Sequence, residues 1–197
     1  MAVLYGPFNR AGTPNRHTVQ PSPTEEDLLH LTVDKIDGRR ATGLIVYPGH
    51  DGEQTAGWLL GAGPGGLSKA GRKLNEGNAA AFGDFDSDGV RDVAVGDDGG
   101  RNDEDGDEIE PPSIHKTLTI HYGNGRRAVF KGTAGPAISG DFNGDSVDDL
   151  AFGGVVDSFW PHQYTSSRIF WGGTGGPRAG EKVKGVGLAA GGERLRR

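Results

Sequence analysis

Asp84-Phe-Asp-Ser-Asp-Gly-Val-Arg-Asp92 returns later in the chain as Asp141-Phe-Asn-Gly-Asp-Ser-Val-Asp-Asp149. Each copy places oxygen-bearing side chains at positions 1, 3, 5 and 9 of a short loop. Four such groups within nine residues repel one another unless a cation sits among them. Oxygen ligands in that number suit a hard ion, calcium above all, which takes about six to eight oxygens. The flanks repeat as well. Ala81-Phe-Gly precedes one copy and Ser139-Gly the other, while Val93-Ala-Val-Gly96 and Leu150-Ala-Phe-Gly153 follow. Short apolar runs around a repeated loop predict a chain of repeats, each able to hold an ion.

In the first loop the candidate ligands are the side chains of Asp84, Asp86, Asp88 and Asp92, with the backbone carbonyl of Val90 at position 7. The second offers Asp141, Asn143, Asp145 and Asp149, with the carbonyl of Val147. Gly89 at position 6 allows a left-handed turn at little cost. Ser146 stands there in the second copy, where a left-handed non-glycine residue costs on the order of 1 kcal/mol. That serine and the uncharged Asn143 predict weaker binding in the second loop. A helix-loop-helix calcium site needs a bidentate Glu at position 12, but Val95 and Phe152 stand there, inside apolar runs. Asx turns without an ion are the plainer alternative.

A third copy fits upstream without a gap when Ile36 is set against Phe85. The ligand positions then fall on Lys35, Asp37, Arg39 and Gly43, so this copy keeps the shape of the repeat and loses the site. A second landmark also recurs. Strand-like runs end in an aromatic or large apolar residue followed by glycine, at Tyr5-Gly6, Leu60-Gly61, Tyr122-Gly123 and Trp171-Gly172. Gly- and Pro-rich turns such as Gly173-Thr-Gly-Gly-Pro177 follow, as expected of tight hairpins. The intervals lie near the length of a propeller blade.

These motifs resemble the FG-GAP repeat, the unit of the integrin alpha-chain β-propeller and of many exported bacterial proteins. The match rests on Phe82-Gly-Asp-Phe-Asp-Ser-Asp-Gly-Val-Arg-Asp-Val-Ala-Val-Gly96 and on Gly140-Asp-Phe-Asn-Gly-Asp-Ser-Val-Asp-Asp-Leu-Ala-Phe-Gly153. The resemblance implies an all-β fold, a β-propeller built of four-stranded antiparallel blades, with calcium (Ca2+) bracing a hairpin loop in a blade. About three full repeats are expected, with partial repeats at both ends. Residues 1–20 read as late strands of a partial blade, 28–74 as a degenerate blade, and 78–133 and 134–187 as blades with calcium loops. Residues 188–197 read as the start of a further blade or a tail. The resemblance implies no catalysis. It implies extracellular recognition, adhesion or scaffolding, with an unknown protein or glycan ligand and self-association that would complete the propeller. The alternatives are an accessory propeller domain of a secreted hydrolase, or a truncated fragment of a larger propeller.

Composition sets outer bounds. Thirty-six glycines and 11 prolines among 197 residues fit many turns and few helices. There is no cysteine, hence no disulfide framework and no thiolate metal site. No run is long and apolar enough for a membrane span, and Met1 leads into a strand-like segment with no signal-peptide pattern. Residues 97–110 hold eight acidic residues and Arg101, a net of −7 against −6 for the whole chain. That stretch reads as a solvated insertion, and the charge balance opposes nucleic-acid binding. Gly61-Ala-Gly-Pro-Gly-Gly66 fits a dinucleotide pattern, but no apolar helix follows it. No hydrolase nucleophile elbow or zinc-protease motif is present. Trp58 and Trp171 are expected in the core, and Trp160 on the surface.

Overall fold

A computed structural model describes residues 1–25, 29–34, 42–48, 54–99, 116–154 and 166–184. The fold is all-β, and no α-helix occurs among the described residues. Among the described residues, fifteen strands form four successive antiparallel sheets. The first pairs β1 (Ala2–Phe8) with β2 (Pro14–Val19). The second runs β3 (Leu29–Val33), β4 (Gly43–Pro48), β5 (Ala56–Gly63) and β7 (Arg72–Glu76), with β6 (Gly66–Leu67) folded back on the tip of β5. The third is a meander of β8 (Ala79–Gly83), β9 (Asp92–Gly96), β10 (Thr117–His121) and β11 (Arg127–Lys131). The fourth repeats that order in β12 (Ala137–Gly140), β13 (Asp149–Gly153), β14 (Ser166–Trp171) and β15 (Arg178–Lys184).

The second strands, β4, β9 and β13, are continuous apolar runs because both of their faces are covered. In β9, Val93 and Val95 face one core while Ala94 faces another. In β4, Ile45 and Tyr47 join the core shared with the third sheet, and Leu44 and Val46 join the core shared with the first. Period-2 alternation therefore divides β4 and β9 between two neighbouring sheets. Three cores lie in the three junctions. The largest, between the third and fourth sheets, buries Phe85, Leu118, Ile120, Leu150, Phe152 and Phe170 almost completely. Each such side chain contributes about 1.5–3 kcal/mol on full burial.

At two of its four occurrences the residue-plus-glycine landmark has a steric cause, whereas a Cβ at Gly61 would meet nothing within 4 Å. The first acidic loop packs on Gly123, where an added Cβ would lie 2.3 Å from Val90 Cγ1. The second packs on Gly172, where a Cβ would lie 2.3 Å from the Asp148 carbonyl oxygen. Only glycine leaves room for positions 7 and 8 of each loop. The two tryptophans differ from expectation. Trp58 is half-buried with Lys73 Nζ 5.9 Å from its ring centroid, and Trp171 remains 36% exposed. Trp171 ends β14 in the last sheet of the array, where no described sheet follows to cover it.

Candidate metal centre

Both acidic loops bridge the first and second strands of their sheets, β8 to β9 and β12 to β13. Each has two left-handed residues. In the first these are Ser87 (φ 60°) and Gly89 (φ 84°), in the second Gly144 (φ 82°) and Ser146 (φ 69°). The expectation of extra backbone cost at Ser146 is corrected by this pairing. Each loop carries one glycine and one serine at positions 4 and 6, in opposite order, so the left-handed cost is matched. The charge difference at position 3 remains.

Hydrogen bonds repeat place for place. Asp84 Oδ2 accepts from Gly89 N at 2.9 Å and Oδ1 from Asp88 N at 3.1 Å. Asp141 Oδ2 accepts from Ser146 N at 2.9 Å and Oδ1 from Asp145 N at 3.1 Å. Position 5 holds position 7 in the same way, through Val90 N to Asp88 Oδ1 at 2.8 Å and Val147 N to Asp145 Oδ1 at 2.9 Å. Nested Asx turns of this kind curl the loop so that its acidic groups converge.

Convergence is tightest in the first loop. Asp84, Asp86 and Asp88 each offer a carboxylate oxygen, all within 4.8 Å of one another. Two ligands of one calcium ion at about 2.3–2.6 Å can be at most about 5 Å apart, so this donor set fits such an ion. Asp92 plays a different part. It is fully buried, with Oδ2 accepting from Phe85 N and Oδ1 from Gly123 N, each at 2.9 Å. Asp149 does the same with Phe142 N (2.9 Å) and Gly172 N (2.8 Å). The position-9 carboxylates thus tie the loop to the third strand of the sheet, and each oxygen keeps a lone pair beyond those bonds. Burial pushes the Asp92 carboxyl from 3.8 up to about 7, against the pull of the Gly123 and Phe85 N–H groups and with the help of the Asp86 and Asp88 charges.

Cationic and amide groups already lean on the first loop. Arg126 from the β10–β11 turn places NH2 2.5 Å from Asp86 Oδ2 and stacks over Tyr122. Asn124 Nδ2 donates to Asp88 Oδ2 at 3.0 Å. Asp86 is only 4% exposed, so the guanidinium offsets a buried charge. The second loop carries Asn143, whose Nδ2 donates to Asp145 Oδ2 at 2.9 Å. Position 8 forms a chain that the sequence did not reveal. Arg91 Nε meets Asp34 Oδ2 at 2.6 Å and NH1 meets Asp148 Oδ2 at 3.3 Å. Thr42 Oγ1 donates to that same Asp34 oxygen at 2.6 Å, and Asp84 N to Asp148 Oδ2 at 2.9 Å. Thr42, Arg91 and Asp148 all hold position 8 of their copies, so this polar line joins three sheets beside the loops.

The degenerate copy at Lys35, Asp37 and Arg39 lies outside the described residues, as do Trp160, residues 188–197 and most of the acidic stretch. The described start of that stretch is not a solvated insertion. Asp97 is 1% exposed and accepts from Gly99 N at 2.7 Å, and Asp98 accepts from Gln54 Nε2 at 2.8 Å. No helix among the described residues is long and apolar enough to cross a membrane. No protein-family model, curated protein or solved structure matches the chain.

Proposed function

We propose that this chain is a non-catalytic, calcium-braced β-propeller module of the FG-GAP type, serving recognition, adhesion or scaffolding outside the cell. The observation that carries the proposal is the acidic trio Asp84, Asp86 and Asp88 within 4.8 Å, in a loop whose hydrogen bonding recurs in a second copy. Four-stranded meanders packed in series supply the blade-like setting. Asp84, Asp86, Asp88 and the Val90 carbonyl would hold the ion in the first loop, with Asp92 closing the shell from the sheet side. Asp141, Asn143, Asp145, the Val147 carbonyl and Asp149 would do so in the second. The role is structural: an ion bound only by folded loops stabilises the fold by mass action. Extracellular placement and a protein or glycan ligand rest on the resemblance of the motifs alone.

Thermal melts with excess calcium and with chelator test the metal. Asp88→Asn keeps the oxygen that accepts from Val90 N and removes one charge. Its melting temperature in chelator is expected to stay within about 2 °C of the parent. A roughly tenfold weaker site lowers the calcium-bound form by about 1.4 kcal/mol, about 3–6 °C for a domain of this size. An undiminished calcium response in this variant removes the first loop from the assignment.

A further inference from the structure

Two junctions of the fold can be compared place for place. Between the third and fourth sheets, Phe130 of β11 meets Phe170 of β14 edge to face, ring centroids 5.3 Å apart. Between the second and third sheets, the register equivalents are Leu74 of β7 and His121 of β10, and His121 Nε2 lies 2.7 Å from Oδ1 of the adjacent Asn75. The register supports the correspondence, since His121 precedes Tyr122-Gly123 as Phe170 precedes Trp171-Gly172. A phenyl ring has given way to an imidazole with a polar partner inside a repeated apolar junction. Local departures of that kind concentrate where a site is built.

A cavity of about 370 Å³ opens beside this pair. Arg72 of β7 lines it. Its guanidinium has one hydrogen-bond partner among the described residues, His121 Nδ1 at 3.4 Å from NH1, and no carboxylate among them pairs with it. Burial pulls the Arg72 pKa below the ordinary arginine value, yet a guanidinium stays charged at neutral pH. Arg72 is exposed at the mouth of the cavity, so an incoming anion gains a charge-assisted hydrogen bond there that salt partly screens. Burial, with Arg72 and Arg127 close by, also pulls the His121 imidazole from 6.5 down to about 4. His121 is therefore neutral, and orients Arg72 without adding charge.

The remaining walls narrow the ligand. Arg91 lines the cavity too, but it is already shared between Asp34 and Asp148. That leaves Arg72 as the lining cation for a single negative charge. Leu59 and Val93 give an apolar wall, and Ser68 a hydroxyl. No Phe, Tyr or Trp ring is among the described lining residues, so a sugar face would find no large aromatic platform to stack on. We propose that this cavity binds the side-chain carboxylate of an acidic peptide segment, with Arg72 as its ion-pair partner and His121 as the residue that positions Arg72.

Calorimetric titration of the full chain in calcium buffer tests this with acetyl-Gly-Glu-Gly-amide, its Gln counterpart, glucuronate and inorganic phosphate. The Glu peptide is expected to bind more tightly than the other three, and more weakly as salt is raised. Arg72→Gln is expected to reduce its affinity about tenfold or more with the melting temperature held. His121→Phe restores the phenyl ring of the other junction, removes the group that positions Arg72, and is expected to weaken Glu-peptide binding at least about threefold while the fold survives. Equal affinity for the Glu and Gln peptides, no binding of either, or full affinity in Arg72→Gln overturns the site. Tighter binding of glucuronate or phosphate overturns the peptide assignment. The calcium melts read a different loop, so either proposal can fail without the other.

Discussion

At the scale of single residues, the acidic loops set charge against charge. Asp86 is 4% exposed and paired with Arg126, whose side chain is 54% exposed. A metal entering the first loop must draw Asp86 away from that guanidinium. Arg126→Gln is therefore expected to tighten calcium binding by about 1 kcal/mol, about fivefold, and to lower the melting temperature in chelator. Unchanged affinity in a calcium titration would mean that Asp86 is not a ligand. Two other buried groups oppose each other in their response to pH. Folded Asp92, raised from 3.8 to about 7, holds a proton that the unfolded chain has lost across that window, so its contribution to stability declines as pH rises. Folded His121, lowered from 6.5 to about 4, lacks a proton that the unfolded chain binds, so its contribution grows as pH rises. Between about pH 4.5 and 6.5 the two terms act in opposite directions. His121→Gln removes one of them. In chelator, its melting temperature should fall with rising pH across that window more steeply than the parent's, and parallel curves would refute the account.

At the scale of elements, one position read as equivalent in the two loops has two environments. Phe85, second residue of the first loop, is fully buried in the core between the third and fourth sheets, while Phe142 is 43% exposed. Phe85→Ala is expected to cost about 3–5 kcal/mol, and Phe142→Ala about 0.5 kcal/mol, both read from denaturant unfolding. Equal losses would show that something covers Phe142 in solution. The contrast also marks what could be read from the chain. The acidic loops, the short apolar strands and the landmark glycines Gly123 and Gly172 were legible because their causes lie within one sheet: Asx turns, period-2 alternation and a close approach that only glycine permits. Burial of Phe85 was not legible, since it depends on which sheet lies alongside. The chain from Thr42 through Asp34 and Arg91 to Asp148 was hidden for the same reason. Thr42, Arg91 and Asp148 share position 8 but differ in kind, and Asp34 precedes its loop, so a search for repeated chemistry passes over them. The two left-handed residues escaped because glycine and serine exchange places between the copies, and only the pair taken together is constant.

At the scale of the whole molecule, the first sheet of the array has an edge that no described strand pairs. The equivalents of β1 in the other sheets, β5, β10 and β14, pair on both edges, whereas β1 pairs only with β2 among the described residues. The neighbouring surface is bare in the same direction. Leu31 and Val33 of β3 are 56% and 60% exposed. Their register equivalents are Ala80 and Phe82 of β8, which pack against the second sheet, with Phe82 only 7% exposed. An open strand edge beside uncovered aliphatic side chains is a template for pairing with another chain. Concentration-dependent self-association is the expected outcome, measured as mass by sedimentation across a dilution series in calcium. Leu31→Lys with Val33→Lys removes apolar surface worth at least about 2 kcal/mol on burial, about thirtyfold in a dissociation constant, while leaving both acidic loops untouched. The doubly substituted chain should therefore keep its calcium-dependent melt and lose its heavier species. Were the parent chain monomeric at every concentration, the β1 edge would not drive association. Were the variant to associate as strongly as the parent, the contact would lie elsewhere, with exposed Phe142 and Trp171 of the fourth sheet as the next surface to substitute.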